Sequence, residues 1–261
     1  MLGTTKIYGC IADPIDHVKA PTIFTSIFES KNIDAVMIPL KVSSSDLTNL
    51  IQTLKKIDNF HGLTVTIPHK SAVVELCDLL DTEAESTQAV NWIKFDKNRK
   101  LIGNNFDGKG FVNGFLSQNH QLSNKIIGLF GSGGAAVAIG CSLAYEGIKE
   151  LKIINRDTNK ANDLKERINT SNKQLKITVF SQYEYDISNC DLIINATSLG
   201  LKKNDHVPFD VTKTPSKCII ADIIMQPEET KLLKQAQLIG RPIPVSYTHL
   251  RAHETLMNLV C

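Results

Sequence analysis

The sequence has no C-x-x-C pair, no internal repeat, no low-complexity tract and almost no charge excess. Six scattered cysteines, Cys10, Cys77, Cys141, Cys190, Cys218 and Cys261, offer no zinc-ligand spacing and fit a reduced, cytoplasmic compartment. No metal site is expected. Lysine and arginine number 29 against 27 acidic residues, a net charge of +2, so neither nucleic acid nor a membrane surface is expected as a partner. The first ten residues hold one lysine and no apolar run of signal-peptide length, so secretion is not indicated. Residues 126–145 carry no charge and are about long enough to span a bilayer. Gly131, Gly133 and Gly134 interrupt that run as a tight turn would, so it reads as strand, turn and helix rather than as a membrane span.

What is present is ordinary for a globular protein: 42% hydrophobic and 21% charged residues. At about 150 residues per domain, the 261 residues make one large domain or two modest ones. Strand-like segments alternate with helix-like ones, which predicts parallel sheets with crossover helices. Strands are expected over 6–10, 36–40 and 62–67, and a helix carrying Val73, Val74, Leu76 and Leu80 after Pro68. Residues 89–95 and 100–102 flank the turn-forming Asp96-Lys97-Asn98-Arg99 and are expected to pair as a hairpin. Pro21 suits the first turn of a helix, and Ser43, Ser44 and Ser45 offer N-caps to another. Beyond Asn105 come a helix over 107–116 and short apolar strands over 125–130, 151–154, 177–180, 192–195 and 218–221. A boundary near Gly103 would separate a nucleotide-binding domain from what precedes it.

Gly131-Ser132-Gly133-Gly134-Ala135-Ala136 fits G-x-G-x-x-A directly between a strand and a helix. The first glycine makes the turn and the second admits a pyrophosphate close to the backbone. The small sixth residue lets helix and strand pack, and the helix N-terminus attracts the phosphate charge. The next strand ends in Asn155-Arg156-Asp157, where an adenosine ribose would lie. Arg156 favours a 2′-phosphate and hence NADP; Asp157 would repel it, which leaves NAD open, and both residues also suit a solvated helix start. Lys70, His69 and Asp107 are, taken singly, common surface, packing or capping residues.

Eight short motifs in one order change that reading. They are Ala12-Asp13-Pro14-Ile15-Asp16-His17, Val65-Thr66-Ile67-Pro68-His69-Lys70, Ala89-Val90-Asn91 and Gly103-Asn104-Asn105-Phe106-Asp107-Gly108. Then follow the glycine turn, Asn155-Arg156, Asn195-Ala196-Thr197-Ser198-Leu199-Gly200, and Asp222 through Pro227 and Thr230 to Leu232-Leu233. Over residues 6–243 the chain resembles the shikimate dehydrogenase family. The resemblance implies an α/β protein of two domains, an N-terminal α/β substrate domain (1–102) and a Rossmann dinucleotide-binding domain (103–245), with a central cleft. It implies reversible hydride transfer between NADP and a ring hydroxyl or ketone of shikimate, 3-dehydroshikimate or a related cyclic hydroxy acid. Lys70 and Asp107 match the catalytic pair. Thr66, Asn91 and Asn105 fall to substrate binding, and Gly131, Ser132, Gly133, Gly134, Ala135, Asn155, Arg156, Asp157, Thr197 and Ser198 to the cofactor. A monomer or homodimer is expected.

The departures cluster on the substrate side. The family's H-S-x-S-P is here His17-Val18-Lys19-Ala20-Pro21, so two hydroxyls that bind the substrate carboxylate are missing. Hydrogen bonds to a charged group are worth roughly 1.5–3 kcal/mol each, a loss that Lys19 would offset by turning inward. Thr64 replaces an Asn, Phe106 a Thr and Met225 a Tyr of the family pattern. The pattern is that of a paralogue which keeps the chemistry and leaves its substrate open. A quinate-type or other hydroxy-acid dehydrogenase using NAD, and a non-catalytic nucleotide-binding homologue, are the alternatives. In place of the family's closing helix, the run Val245-Ser246-Tyr247-Thr248-His249-Leu250-Arg251-Ala252-His253-Glu254-Thr255 resembles translated sequencing adaptor, so residues 246–261 are read as non-native. His249 and His253 are given no role.

Overall fold

Strand β1 (Lys6–Ala12) and the elements after it, α1 (Ala20–Ser30), β2 (Ala35–Lys41), α2 (Leu47–Leu54) and β3 (Phe60–Val65), follow the expected strand–helix alternation. The structure, a computed structural model, describes residues 2–16, 18–224, 227 and 229–244; His17, Met225 and the tail read as non-native lie outside them. Helix α1 has Pro21 in its first turn and buries Phe24 and Phe28, one turn apart on one face. Each such aromatic contributes roughly 1.5–3 kcal/mol by leaving water. Asp46, not a serine, precedes α2, and it makes no side-chain cap. Ser43 bonds Asp46 and Ser45 instead.

The helix expected after Pro68 does not form. A short 3₁₀ turn at Val74–Leu76 leads into β4 (Leu79–Leu80), because Leu79 and Leu80 pair with a later strand and Asp78 accepts the Leu101 N–H at 2.7 Å. Sheet pairing overrides the helical spacing of the apolar residues. Helix α3 (Thr82–Thr87) and the hairpin β5 (Trp92–Phe95) and β6 (Leu101–Asn104) complete the unit. Its sheet runs β2-β1-β3-β5-β6-β4, with the hairpin strand β5 antiparallel to β3.

Contacts divide the chain into Met1–Phe106 and Asp107–Cys261. The second unit comprises α4 (Asp107–Leu116), β7 (Ile126–Phe130), α5 (Gly134–Leu143), β8 (Glu150–Asn155), α6 (Thr158–Ser171), β9 (Lys176–Ser181), β10 (Leu192–Asn195), β11 (Ile219–Asp222) and α7 (Lys231–Leu238). Five strands lie parallel in the order β11-β10-β7-β8-β9. The strands read as continuous apolar runs because helices cover both sheet faces. Two cores show this: one holds Ile127, Leu129, Leu151 and Ile153, the other Phe130, Ile154, Ile193 and Ile220. Among the described residues no helix is long and apolar enough to cross a membrane.

Candidate active site

In the second unit the chain winds outward from β7 through β8 to β9, then returns to the other side of β7 with β10. This reversal leaves a crevice at the carboxyl ends of β7 and β10, where open α/β sheets bind their ligands. Three sequence-predicted segments meet at that edge. The glycine turn follows β7, Asn155-Arg156-Asp157 ends β8 and starts α6, and Thr197-Ser198 follows β10.

Gly131 has φ +111°, and a Cβ there would lie 2.8 Å from the Ala196 carbonyl oxygen, so the turn demands glycine. Its N–H donates to Ile154 O at 2.9 Å. Ser132 and Ala135 are half-buried, Gly133 and Gly134 exposed. A Cβ on Gly133 or Gly134 would meet nothing within 4 Å. Gly133 caps α5 without a side-chain bond, so the first N–H groups of the helix point into that open space. This bare backbone cradle fits a dinucleotide pyrophosphate. Ala136, fully buried, packs the helix onto the sheet.

Asp157 turns its carboxylate to α6, Oδ1 accepting from the N–H groups of Asn159 and Lys160 at 3.0 and 3.3 Å. Asn155 Nδ2 donates to Asp157 O at 2.8 Å, and Arg156 is exposed. Thr197 Oγ donates to Asn195 Oδ1 at 2.7 Å and accepts from Leu199 N–H; Ser198 is exposed. Fully buried Asn195 passes the network on to Asp222 at 3.1 Å, and Thr230 donates to the second Asp222 oxygen at 2.8 Å. Burial pushes the Asp222 carboxyl up, against the bonds from Ile224, Thr230 and Asn195. The motifs around Asn195 and Asp222 are thus two halves of one network that shapes the loop after β10.

In the first unit, Lys70 lies just beyond β3 and is half-buried, and its carbonyl accepts the Val90 N–H at 2.8 Å. Thr66 is half-buried, its N–H on Ile11 O at 3.1 Å. Asn91 Oδ1 accepts the Phe106 N–H at 3.0 Å, and the Asn91 N–H donates to Asn104 O at 2.9 Å. Asn105 is buried, and its amide nitrogen donates to Thr87 Oγ at 3.1 Å and Ala89 O at 3.0 Å. Lys70, Asn91 and Asn105 therefore share one polar framework. Asp107 is half-buried and follows Phe106 directly, at the start of α4. Lys19 precedes α1, exposed, and caps nothing with its side chain.

Sequence reasoning missed Asp81. Its Oδ1 caps α3 at Ala84 N–H, 2.7 Å away, and also accepts the Asn105 N–H at 3.3 Å. Burial pushes its carboxyl up, opposed by bonds from Ala84 and Asn104. An aspartate three residues before Ala84, with Glu83 and Glu85 following, is an N-cap signature that was available.

Residues 10–93 match the family model for the shikimate dehydrogenase substrate binding domain, and residues 115–227 that for shikimate / quinate 5-dehydrogenase. A shikimate dehydrogenase (NADP+) of Bacillus cereus is 36% identical over 237 residues, covering 90% of this chain and 84% of its own. One of Alkaliphilus oremlandii is 32% identical over 242 residues, with the same coverage. A solved shikimate 5-dehydrogenase of Listeria monocytogenes, in complex with shikimate and NAD, superposes with a TM-score of 0.90 at 26% identity over 97% of this chain and 91% of that one. A 5-ketofructose reductase of Gluconobacter sp. superposes at 0.85 and 28% identity, over 95% and 90%. By its motifs, its fold and these relatives, the chain belongs to the shikimate dehydrogenase family.

Proposed function

We propose that this protein catalyses reversible, NADP-preferring hydride transfer between shikimate and 3-dehydroshikimate or a closely related cyclic hydroxy acid and its ketone. The observation that carries the reading is the meeting of the glycine turn, Arg156 and Thr197 at one sheet edge, in a chain that keeps Lys70, Asn91 and Asp107. When bound, the nicotinamide accepts or supplies the hydride. The turn 131–135 holds the pyrophosphate, Asn155, Arg156 and Asp157 the adenosine ribose end, and Thr197 and Ser198 the far side. Lys70 and Asp107 carry the acid–base chemistry: the hydroxyl proton leaves to Lys70 on oxidation and returns on reduction, help worth roughly 10²–10⁴ in rate.

Asn91 and Asn105 serve substrate hydroxyls, held in place by the bonds of Asn91 to Phe106 and of Asn105 to Thr87 and Ala89. Thr66 lines the same side. Lys19 stands where Val18 and Ala20 offer no hydroxyl, and it meets the substrate carboxylate. Cys10, Cys77, Cys141, Cys190 and Cys218 form no disulfide, which supports work in the reducing cytoplasm; the protein acts as a monomer or homodimer.

The test is reduced-nicotinamide absorbance, its rise with shikimate or quinate and NADP or NAD, and its fall with 5-ketofructose and NADPH or NADH, beside Lys70→Ala. Turnover on shikimate that falls at least roughly 10²-fold in the variant supports the reading. Turnover confined to the keto sugar would transfer the assignment to a substrate without a carboxylate. Silence with all three, in folded protein that binds NADP, would overturn it.

A further inference from the structure

The turn that carries Lys70 contains a buried titratable ring with no part in the chemistry above. His69 is fully buried, and its Nε2 lies 2.9 Å from the carbonyl oxygen of Val42. A carbonyl can only accept, so Nε2 carries the hydrogen and Nδ1 the lone pair. Nδ1 is itself buried and has no partner among the described residues. An unpartnered buried nitrogen disfavours the fold, and a phenylalanine ring of similar shape would fill the space without one. Packing alone therefore does not account for a histidine here. What the imidazole adds over an apolar ring is direction, a bond that fixes where the ring and its own Cα sit.

The anchor at the far end is firm. Val42 is buried at the end of β2, and its N–H donates to Ala12 O of β1 at 3.3 Å. On the near side the backbone is a tight turn, the His69 N–H donating to Thr66 O at 2.9 Å and the Val73 N–H to His69 O at 3.1 Å. Lys70 comes next, and its carbonyl takes the Val90 N–H one residue before Asn91. A small rotation of the backbone at His69 would swing the four-carbon lysine stem through a far larger arc. We propose that His69 is a positioning residue for Lys70, holding through Val42 the turn from which the lysine reaches the reacting hydroxyl. The proposal rests on the role given to Lys70 above.

The test uses the full chain with His69→Phe, which keeps the ring volume and loses the bond, and His69→Gln, whose amide can still donate to Val42. Two readouts are taken beside the thermal midpoint. One is steady-state kinetics against pH. The other is the rate at which Lys70 is acylated by acetic anhydride, read by peptide mass spectrometry against exposed Lys31 and Lys56. In His69→Phe, kcat should fall by about ten- to a hundredfold with KM for NADP unchanged, as expected for a misplaced reacting group. Lys70 acylation should change severalfold relative to both reference lysines. His69→Gln should recover most of each effect. Unchanged kcat and unchanged Lys70 reactivity in His69→Phe would overturn the proposal. So would a loss that follows the thermal midpoint and is not recovered by glutamine. The acylation arm needs no turnover, so a wild-type protein silent on every hydroxy acid would count against the proposed function while leaving the role of His69 decided.

Discussion

Arg156 and Asp157 gave opposite indications of cofactor in the sequence, and their side-chain geometry separates their tasks. Asp157 uses Oδ1 on the first turn of α6, as an N-cap does, while exposed Arg156 points its charge to solvent. The aspartate still leaves a negative charge one residue from the arginine, and with Arg156 in its proposed role that charge would weaken a bound 2′-phosphate without contacting it. Asp157→Asn keeps an equally good cap and removes the charge. The ratio of kcat/KM for NADP over NAD should then rise by about two- to fivefold, on the scale of a screened surface interaction of up to about 1 kcal/mol. Arg156→Ala should act oppositely and more strongly, lowering that ratio by roughly ten- to a hundredfold as a charge-assisted bond is lost. An unchanged ratio in Asp157→Asn would mean that the capping geometry already hides the charge from the cofactor.

At the scale of elements, two glycines with the same letter do different work. A Cβ on Gly108 would lie 2.0 Å from Ala138 O and 2.3 Å from Ser142 Oγ, so α4 can cross α5 this closely only with hydrogen at that position. Gly108→Ala should cost about 1–3 kcal/mol by overpacking, lowering the thermal midpoint by roughly 2–4 °C per kcal/mol. It should also lower kcat, because Asp107 precedes it on the same helix turn. Gly133→Ala should do the reverse, leaving the midpoint unchanged while weakening NADP binding, since its Cβ meets no protein atom and enters the cradle. Differential scanning fluorimetry with and without NADP separates the two. The sequence showed a glycine after Asp107 but not its partner helix, because a close helix crossing leaves no local signal. The glycine turn was legible because strand, turn and helix are contiguous in the chain. The helix expected at Val73–Leu80 failed for the opposite reason, its apolar residues answering to a strand some 20 residues away in the chain.

Across the whole molecule, what the sequence hid is its polar framework. Asp81 with Asn105 and Asp222 with Asn195 and Thr230 join residues 24, 27 and 8 positions apart, and only folding brings them together. These two half-buried carboxylates also bias how stability varies with pH. Desolvation raises both above the ordinary value of 3.8. Below that value folded and unfolded chains alike hold the proton. Between it and the raised folded value the native state alone holds it, so each group makes stability fall as pH rises through that window. Exposed Asp78, lowered by its bond from Leu101, works the other way but is largely screened. Asp222→Asn can keep the Asn195 and Ile224 bonds through Oδ1 and face Thr230 Oγ with its amide, while removing the titration. The variant should therefore gain on the parent as pH rises from about 3 to about 7, with the difference in unfolding free energy moving in its favour across the raised-pKa window and constant above it. Urea unfolding at closely spaced pH values measures this. A difference that stays flat over the whole range would mean that the Thr230 and Asn195 bonds hold the Asp222 carboxyl at its ordinary value despite burial, and that this network is neutral to pH.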